Sequence, residues 1–280
     1  KQEGITDEGE LDFLVNTSVA TEVEAKVNEK FFDEKIEIEG LTQKEAYKDS
    51  ISPFKKLLAN RFSKYEIREN YNNELSEFKN MLMKAQIILT TNYDTFIEDE
   101  YNSQSKYGIK KYIGQQGFFK QTVGYAELYK IHGCTTEASS LIINDEDYRR
   151  FDKDSVLISA KIISMLLHSP IIFLGYSLTD RNIRKIIKDF TGSLNEEEKI
   201  ELEKRLIVVQ WEDGMNEIKE EIVIDKDLGC RLTVIKTDNF LEVYKKLASV
   251  NQGVAPSEVR RYQHVIKKLI VERGRAGELN

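Results

Sequence analysis

Little in this chain can cross-link, chelate or break a helix. Its 280 residues hold two cysteines, three histidines, three prolines and one tryptophan. Cys134 and Cys230 cannot build a disulfide framework or a four-cysteine zinc site, so no metal is expected and a reducing cytoplasm fits best. No apolar run approaches the roughly 20 residues that span a bilayer, and no membrane partner is expected. Nor is there a basic start, apolar stretch and small-residue cleavage site of a secretory leader. The chain opens on Lys1 rather than Met, so a longer natural N-terminus is the expectation. The net charge is −7, from 41 basic and 48 acidic residues, which argues against broad nucleic-acid binding. Also missing are a G-x-x-x-x-G-K-[ST] loop, an H-E-x-x-H helix, a G-x-S-x-G elbow and a G-x-G-x-x-G turn. These absences set aside P-loop NTPases, zincins and α/β-hydrolases.

What remains is an ordinary globular composition, 40% hydrophobic and 32% charged. Residues 1–84 read as a charged, mostly helical module, with helices near 8–28, 42–48, 53–64 and 73–84. Ser52 followed by Pro53 is the signature of a helix start. From Gln86 onward short apolar runs appear at 86–90, 127–132, 140–143, 170–175, 205–211 and 231–236. Most alternate with helical segments at 95–101, 154–168, 180–190, 195–204 and 239–249. Continuous runs such as "PIIFLG" and "RLIVVQ" suit strands buried on both faces. The fold class expected is therefore α/β, with a Rossmann-like parallel sheet flanked by helices and a helical small module. A capping box is expected from Ser193 to Glu196. The domain expected over 1–250 is followed by an amphipathic helix within 251–280. Val259, Tyr262, Ile266, Leu269 and Ile270 share one of its faces, which would pack on its own domain or contact another subunit.

Three polar clusters end apolar runs: Thr91-Asn92-Tyr93-Asp94, His132-Gly133, and Gly175-Tyr176-Ser177-Leu178-Thr179-Asp180. Ligands of open α/β sheets bind outside the carboxyl ends of the strands, so together the clusters outline a pocket. Each also has a plainer reading. Asp94 suits a helix cap, His132 suits a satisfied histidine, and Thr179 or Asp180 suits a cap whose helix N-terminus also favours an anion. Gly133 permits a close backbone approach behind His132. His168 and His264 fall within helical patterns and read as structural.

The ordered set "IILTTNYDTFIE", "YKIHG", "LIINDEDYRRF" and "PIIFLGYSLTDRNIRKII" resembles the bacterial sirtuin-like domain, in the branch found in anti-phage defence systems. The resemblance covers residues 50–250 and implies NAD+ bound at the strand ends. It implies Asn92 and His132 as the catalytic pair, with Thr91, Asp94, Gly133, Gly175, Tyr176 and Ser177 around the dinucleotide. Two features depart from the family. Its opening glycine-rich loop is not found between residues 1 and 85, and is expected upstream of Lys1. The four-cysteine zinc module of the deacylase sirtuins is also missing, which counts against deacylation. The activity implied is NAD+ glycohydrolysis to nicotinamide and ADP-ribose. A deacylase, an ADP-ribosyltransferase and a non-catalytic NAD+ or ADP-ribose binding module are the alternatives. The family further implies a homo-oligomer and a partner such as a HerA-like ATPase, further repeat domains or an Argonaute-type protein. With only an amphipathic helix after residue 250, a subunit pairing with a separate ATPase is favoured.

Overall fold

A computed structural model describes residues 8–114, 124–154, 156–175 and 181–251, with isolated positions 253, 256, 259, 262 and 271. The chain divides into two compact units, 1–23 with 142–242 and 24–141 with 243–280.

The second unit begins inside a long helix, α1 (Glu8–Phe32), and continues through α2 (Gln43–Lys48), α3 (Pro53–Phe62) and α4 (Asn72–Leu82). The starts of α2 and α3 follow from local chemistry. Thr42 and Glu45 form a reciprocal capping box, and Ser52 caps Lys55 with Pro53 in the first turn. Phe31, Ile38, Leu41 and Ala46 bury together, with Val27, Ile36 and Ile51 against them. Next come β1 (Ile87–Thr90), α5 (Phe96–Gln104), β2 (Lys110–Ile113) and β3 (Glu127–Lys130). The three strands form a parallel sheet in the order β1-β3-β2, so β3 lies in the middle and all four of its residues are buried.

The first unit holds α6 (Asp145–Asp154), α7 (Val156–His168), β4 (Ile171–Leu174), α8 (Arg181–Thr191), α9 (Glu196–Glu203), β5 (Leu206–Trp211), β6 (Lys219–Asp225) and β7 (Cys230–Thr237). Its sheet runs β4-β5-β7-β6, parallel except for the antiparallel edge strand β6. Ile158, Ile162 and Leu166 of α7 fall four residues apart on one face. They are buried, as are Ile183, Ile186 and Ile187 of α8 and the Leu206, Val208 and Val209 side chains of β5. Helix α10 (Phe240–Ala248) follows β7.

The α/β class with parallel strands and flanking helices is as expected; among the described residues the strands form one sheet in each unit. Three details differ. The apolar run at 140–143 is not a strand. Residues 138–140 make a single 3-10 turn, and the backbone N–H groups of Ile143 and Asn144 bond the Asp147 carboxylate at 3.0 and 3.2 Å. The Asn144 side-chain oxygen in turn accepts from the Asp147 N–H at 2.8 Å, so capping of α6 takes the backbone groups that a sheet would need. The strands β2 and β6 were not expected: β2 (KKYI) has no continuous apolar run, and β6 (KEEIVID) has only the short run Ile222–Ile224, two of whose three side chains are exposed. The capping box of α9 lies two residues beyond the expected pair, between Asn195 and Glu198. Ser193 instead donates back to the Asp189 carbonyl at 3.2 Å. Most of the segment 251–280 lies outside the described residues, and its described positions 256, 259, 262 and 271 are helical. No helix among the described residues is long and apolar enough to cross a membrane.

Candidate functional site

The register of the three-stranded sheet brings two of the three polar clusters to one level. Thr90 of β1 is the direct partner of Lys130 of β3, and the Ile131 N–H donates to the Thr90 carbonyl at 2.9 Å. Asn92 and His132 each lie two residues past that pair, at the carboxyl ends of adjacent parallel strands. This is the edge at which open α/β sheets hold ligands.

The turn after β1 is built from its own side chains and from β3. The Asn92 N–H bonds the Thr90 hydroxyl at 3.1 Å, and the Phe96 N–H bonds Asp94 Oδ1 at 2.9 Å. Asp94 therefore holds the first N–H of α5 from one residue before the N-cap position, Thr95, which makes no side-chain cap bond. Its Oδ2 makes no hydrogen bond among the described residues. Asn92 is exposed, and its side-chain amide likewise makes no hydrogen bond among them. The bond to α5 explains Asp94 in part and leaves the Asn92 amide unused.

The three carbonyls of the turn are all held. Lys130 Nζ donates to the Asn92 carbonyl at 3.3 Å and to the Asp94 carbonyl, while the Thr135 N–H donates to the Tyr93 carbonyl at 2.8 Å. Lys130 is only 1% exposed, and Glu98, on α5, faces it at 3.5 Å. Glu98 is also paired with Lys111 of β2 at 3.1 Å. Burial works against the charge on Lys111. The hydrogen bond to Glu98 and the field of the neighbouring Cys134 outweigh it and hold the ammonium above the ordinary lysine value. Cys134 and Cys230 are both free and buried. Lys130 and Glu98 were not among the expected site residues. A lysine inside an apolar run is the one signal that could have marked the first, since a buried charge must find partners.

His132 is buried, 5% exposed. Gly133 behind it adopts φ +100°, and a Cβ there would meet the Ser140 carbonyl oxygen at 2.3 Å and the Leu141 Cα at 2.9 Å. The close approach that this glycine permits is thus by the chain's own 140–141 backbone, which seats that segment behind the histidine. On the other side of the turn, Phe62 at the end of α3 stacks on Tyr93 at 5.6 Å. Phe78 of α4 stacks on Phe96 at 5.5 Å, and Tyr65 meets the same ring edge-on. The Tyr65 hydroxyl donates to Asp99 at 2.8 Å; burial first, then that carboxylate, push the phenol up to about 12. The helical module therefore packs directly on the turn that carries Asn92.

Gly175 ends β4 in the other unit, at φ +60°, with open space where a Cβ would stand. Tyr176 and Ser177 lie outside the described residues. Thr91, half-buried, follows β1 directly. No cluster of three or more histidine, cysteine or acidic side chains suited to a metal occurs among the described residues.

The Asn turn and the histidine thus stand on adjacent parallel strand ends, the edge at which open α/β sheets hold ligands. The chain belongs to the SIR2-like domain family, whose signature matches residues 86–232, more than half of its length. It is similar to the NAD(+) hydrolase ThsA of Enterococcus faecium, 31% identical over 139 residues, which is 48% of this chain and 29% of that protein. The NAD(+) hydrolase ThsA of Cytobacillus dafuensis is 28% identical over 124 residues, 42% of this chain and 25% of that one. Defense-associated sirtuin 2 of Bacillus subtilis is 26% identical over 112 residues, 39% and 11% of the respective chains. The matched regions thus span less than a third of each of these relatives.

Proposed function

We propose that this chain carries the catalytic centre of an NAD+ glycohydrolase, which releases nicotinamide and ADP-ribose and depletes NAD+ during anti-phage defence. The observation that carries the reading is the pairing of Asn92 and His132 on adjacent strand ends, two residues past a shared register position. Relatives named NAD(+) hydrolase and Defense-associated sirtuin support the same reaction and setting.

Nicotinamide is a cationic leaving group on an anomeric carbon, so its departure requires no acid and leaves an oxocarbenium-like centre. In this reading the Asn92 amide, with one donor group and one acceptor, orients the attacking water or a ribose hydroxyl. His132 takes the proton from it. Asp94, with Oδ1 occupied by the first N–H of α5, offers Oδ2 to the nicotinamide carboxamide. Thr91 and Gly133, which follow the same two strands, would line the dinucleotide beside this pair. An activity of this kind must be held in check, and assembly with further copies or with a HerA-like ATPase in the cytoplasm would do so.

The test is NAD+ consumption by the full-length protein, alone and with the product of its neighbouring gene. Asn92→Ala and His132→Ala should each lower turnover by about 10²–10⁴-fold while circular dichroism stays native. Undiminished NAD+ loss in both variants would sink the assignment. Nicotinamide release that depends on an added acetyl-lysine peptide would replace it with deacylation.

A further inference from the structure

We propose that Lys130 is a positioning residue that sets the Asn92–Asp94 turn against the strand carrying His132; this rests on the NAD+ hydrolysis reading. A lysine ammonium has three N–H donors and no acceptor. In the interior each must be matched, because an unmatched donor on a buried cation is costly. At Lys130 two hydrogen-bond acceptors are present, the Asn92 carbonyl at 3.3 Å and the Asp94 carbonyl, and the Glu98 carboxylate lies at ion-pair distance, 3.5 Å.

The hydrogen bonds decide what this lysine is for. Glu98 turns one oxygen to Lys111 at 3.1 Å and the other to Lys130 at 3.5 Å, and the second accepts no hydrogen bond. The hydrogen-bond acceptors of Lys130 are instead the two backbone carbonyls of the turn. Those carbonyls belong to the residues whose side chains supply the amide and the carboxylate of the candidate site. Holding carbonyls 92 and 94 from one nitrogen, with carbonyl 93 held by the Thr135 N–H, fixes the peptide planes on both sides of Tyr93. The directions of the Asn92 and Asp94 side chains follow from those planes. Lys130 also lies two residues before His132 on β3, so one strand both presents the histidine and anchors the asparagine turn. Catalytic groups misplaced by about 1 Å lose about a hundredfold in rate, so such an anchor acts on turnover more than on substrate affinity.

The test uses the full-length protein carrying Lys130→Met together with Glu98→Gln. The pair removes the cation without leaving a lone carboxylate behind, and the amide oxygen introduced at position 98 still accepts from Lys111. Two properties are read: kcat and KM for NAD+, and backbone hydrogen exchange over residues 90–96. Turnover should fall about 10–100-fold with KM within about threefold of the parent, and exchange over 90–96 should quicken while the rest of the chain keeps its protection. Lys111→Met removes the other cation from Glu98 but touches no turn carbonyl, and should leave kcat unchanged. Parent-like kcat in the double variant overturns the proposal, whatever the exchange shows. So does a fall in kcat with unchanged exchange over 90–96. If the parent protein itself consumes no NAD+ under any condition, the functional reading fails. The anchor then stands or falls on exchange alone: faster exchange over 90–96 supports it and unchanged exchange overturns it.

Discussion

In the three-stranded sheet, the central strand carries Glu127 and Lys130 into positions 0% and 1% exposed. The four-stranded sheet keeps its largest charge cluster at the margin. There Arg184 of α8 forks onto Asp225 at 3.0 and 3.1 Å and reaches Asp227 at 2.8 Å, with Lys188 on Asp227 at 2.7 Å. Those side chains are between 22% and 57% exposed. Both clusters immobilise a turn, since Asp225 also accepts from the Asp227 and Leu228 N–H groups at the β6–β7 hairpin. What separates them is the dielectric. A half-exposed ion pair contributes little and is screened, whereas a buried one is strongly destabilising when a single member is removed. The sheet with the buried cation is the one that presents Asn92 and His132. A tight, costly anchor therefore stands where a side chain has to be aimed, and a loose one where a hairpin only has to close.

The contrast can be broken most severely at Lys130. Lys130→Met alone orphans part of the Glu98 charge, and chemical denaturation should show a loss of about 3–5 kcal/mol. Gly133→Ala forces a Cβ into the Ser140 carbonyl at positive φ. A loss of about 3 kcal/mol is expected, together with a drop in NAD+ turnover, as the 140–141 segment is pushed from behind His132. Arg184→Met, in the marginal cluster, should cost only about 1–2 kcal/mol. Its pH dependence has a definite sign. Burial alone would raise Asp225, but the Arg184 hydrogen bonds hold it below the ordinary carboxylate value; the Lys188 and Arg184 hydrogen bonds hold Asp227 low as well. A depressed carboxylate contributes stability above its unfolded pKa and loses it as pH falls through the folded one. The gap between parent and Arg184→Met in thermal melts should therefore be full at neutral pH and close below about pH 4. The smallest effect is expected at Gly175→Ala, where φ is +60° but the space for a Cβ is open. About 1 kcal/mol of backbone strain should appear in the melting curve. A Gly175→Ala loss as large as that of Gly133→Ala would end the distinction between a glycine required by packing and one required by φ alone.

Much of this organisation was legible because it is local. The caps at Ser52 and Pro53 and the apolar runs that became β1, β3, β4, β5 and β7 follow from chemistry within a few residues. The Asn and His at two strand ends were visible as polar breaks after those runs. Less legible was whatever depended on a competing partner for the same backbone or side-chain group. The run at 140–143 looked like a strand, but the 3-10 turn took the Ser140 and Leu141 N–H groups and Asp147 took that of Ile143. The box expected at Ser193 moved to Asn195 because Ser193 found the Asp189 carbonyl first. Strand β2 escaped notice because a half-exposed strand needs no continuous apolar run, and the edge strand β6 because its apolar run is only three residues long.

By itself the sequence determined the class of fold, the helical module and the residue types at the strand ends, because periodicity, caps and apolar runs act within one or two turns of chain. The tertiary structure alone decided that Asn92 and His132 share a level, since strand register depends on pairing 40 residues apart. It alone decided that Gly133 is required by its own backbone neighbour and that Lys130 is committed to two carbonyls of the Asn92 turn. Burial is the reason. A lysine in a string of letters is a soluble charge, and only when the folded chain removes water from around it do its three donors have to choose their partners.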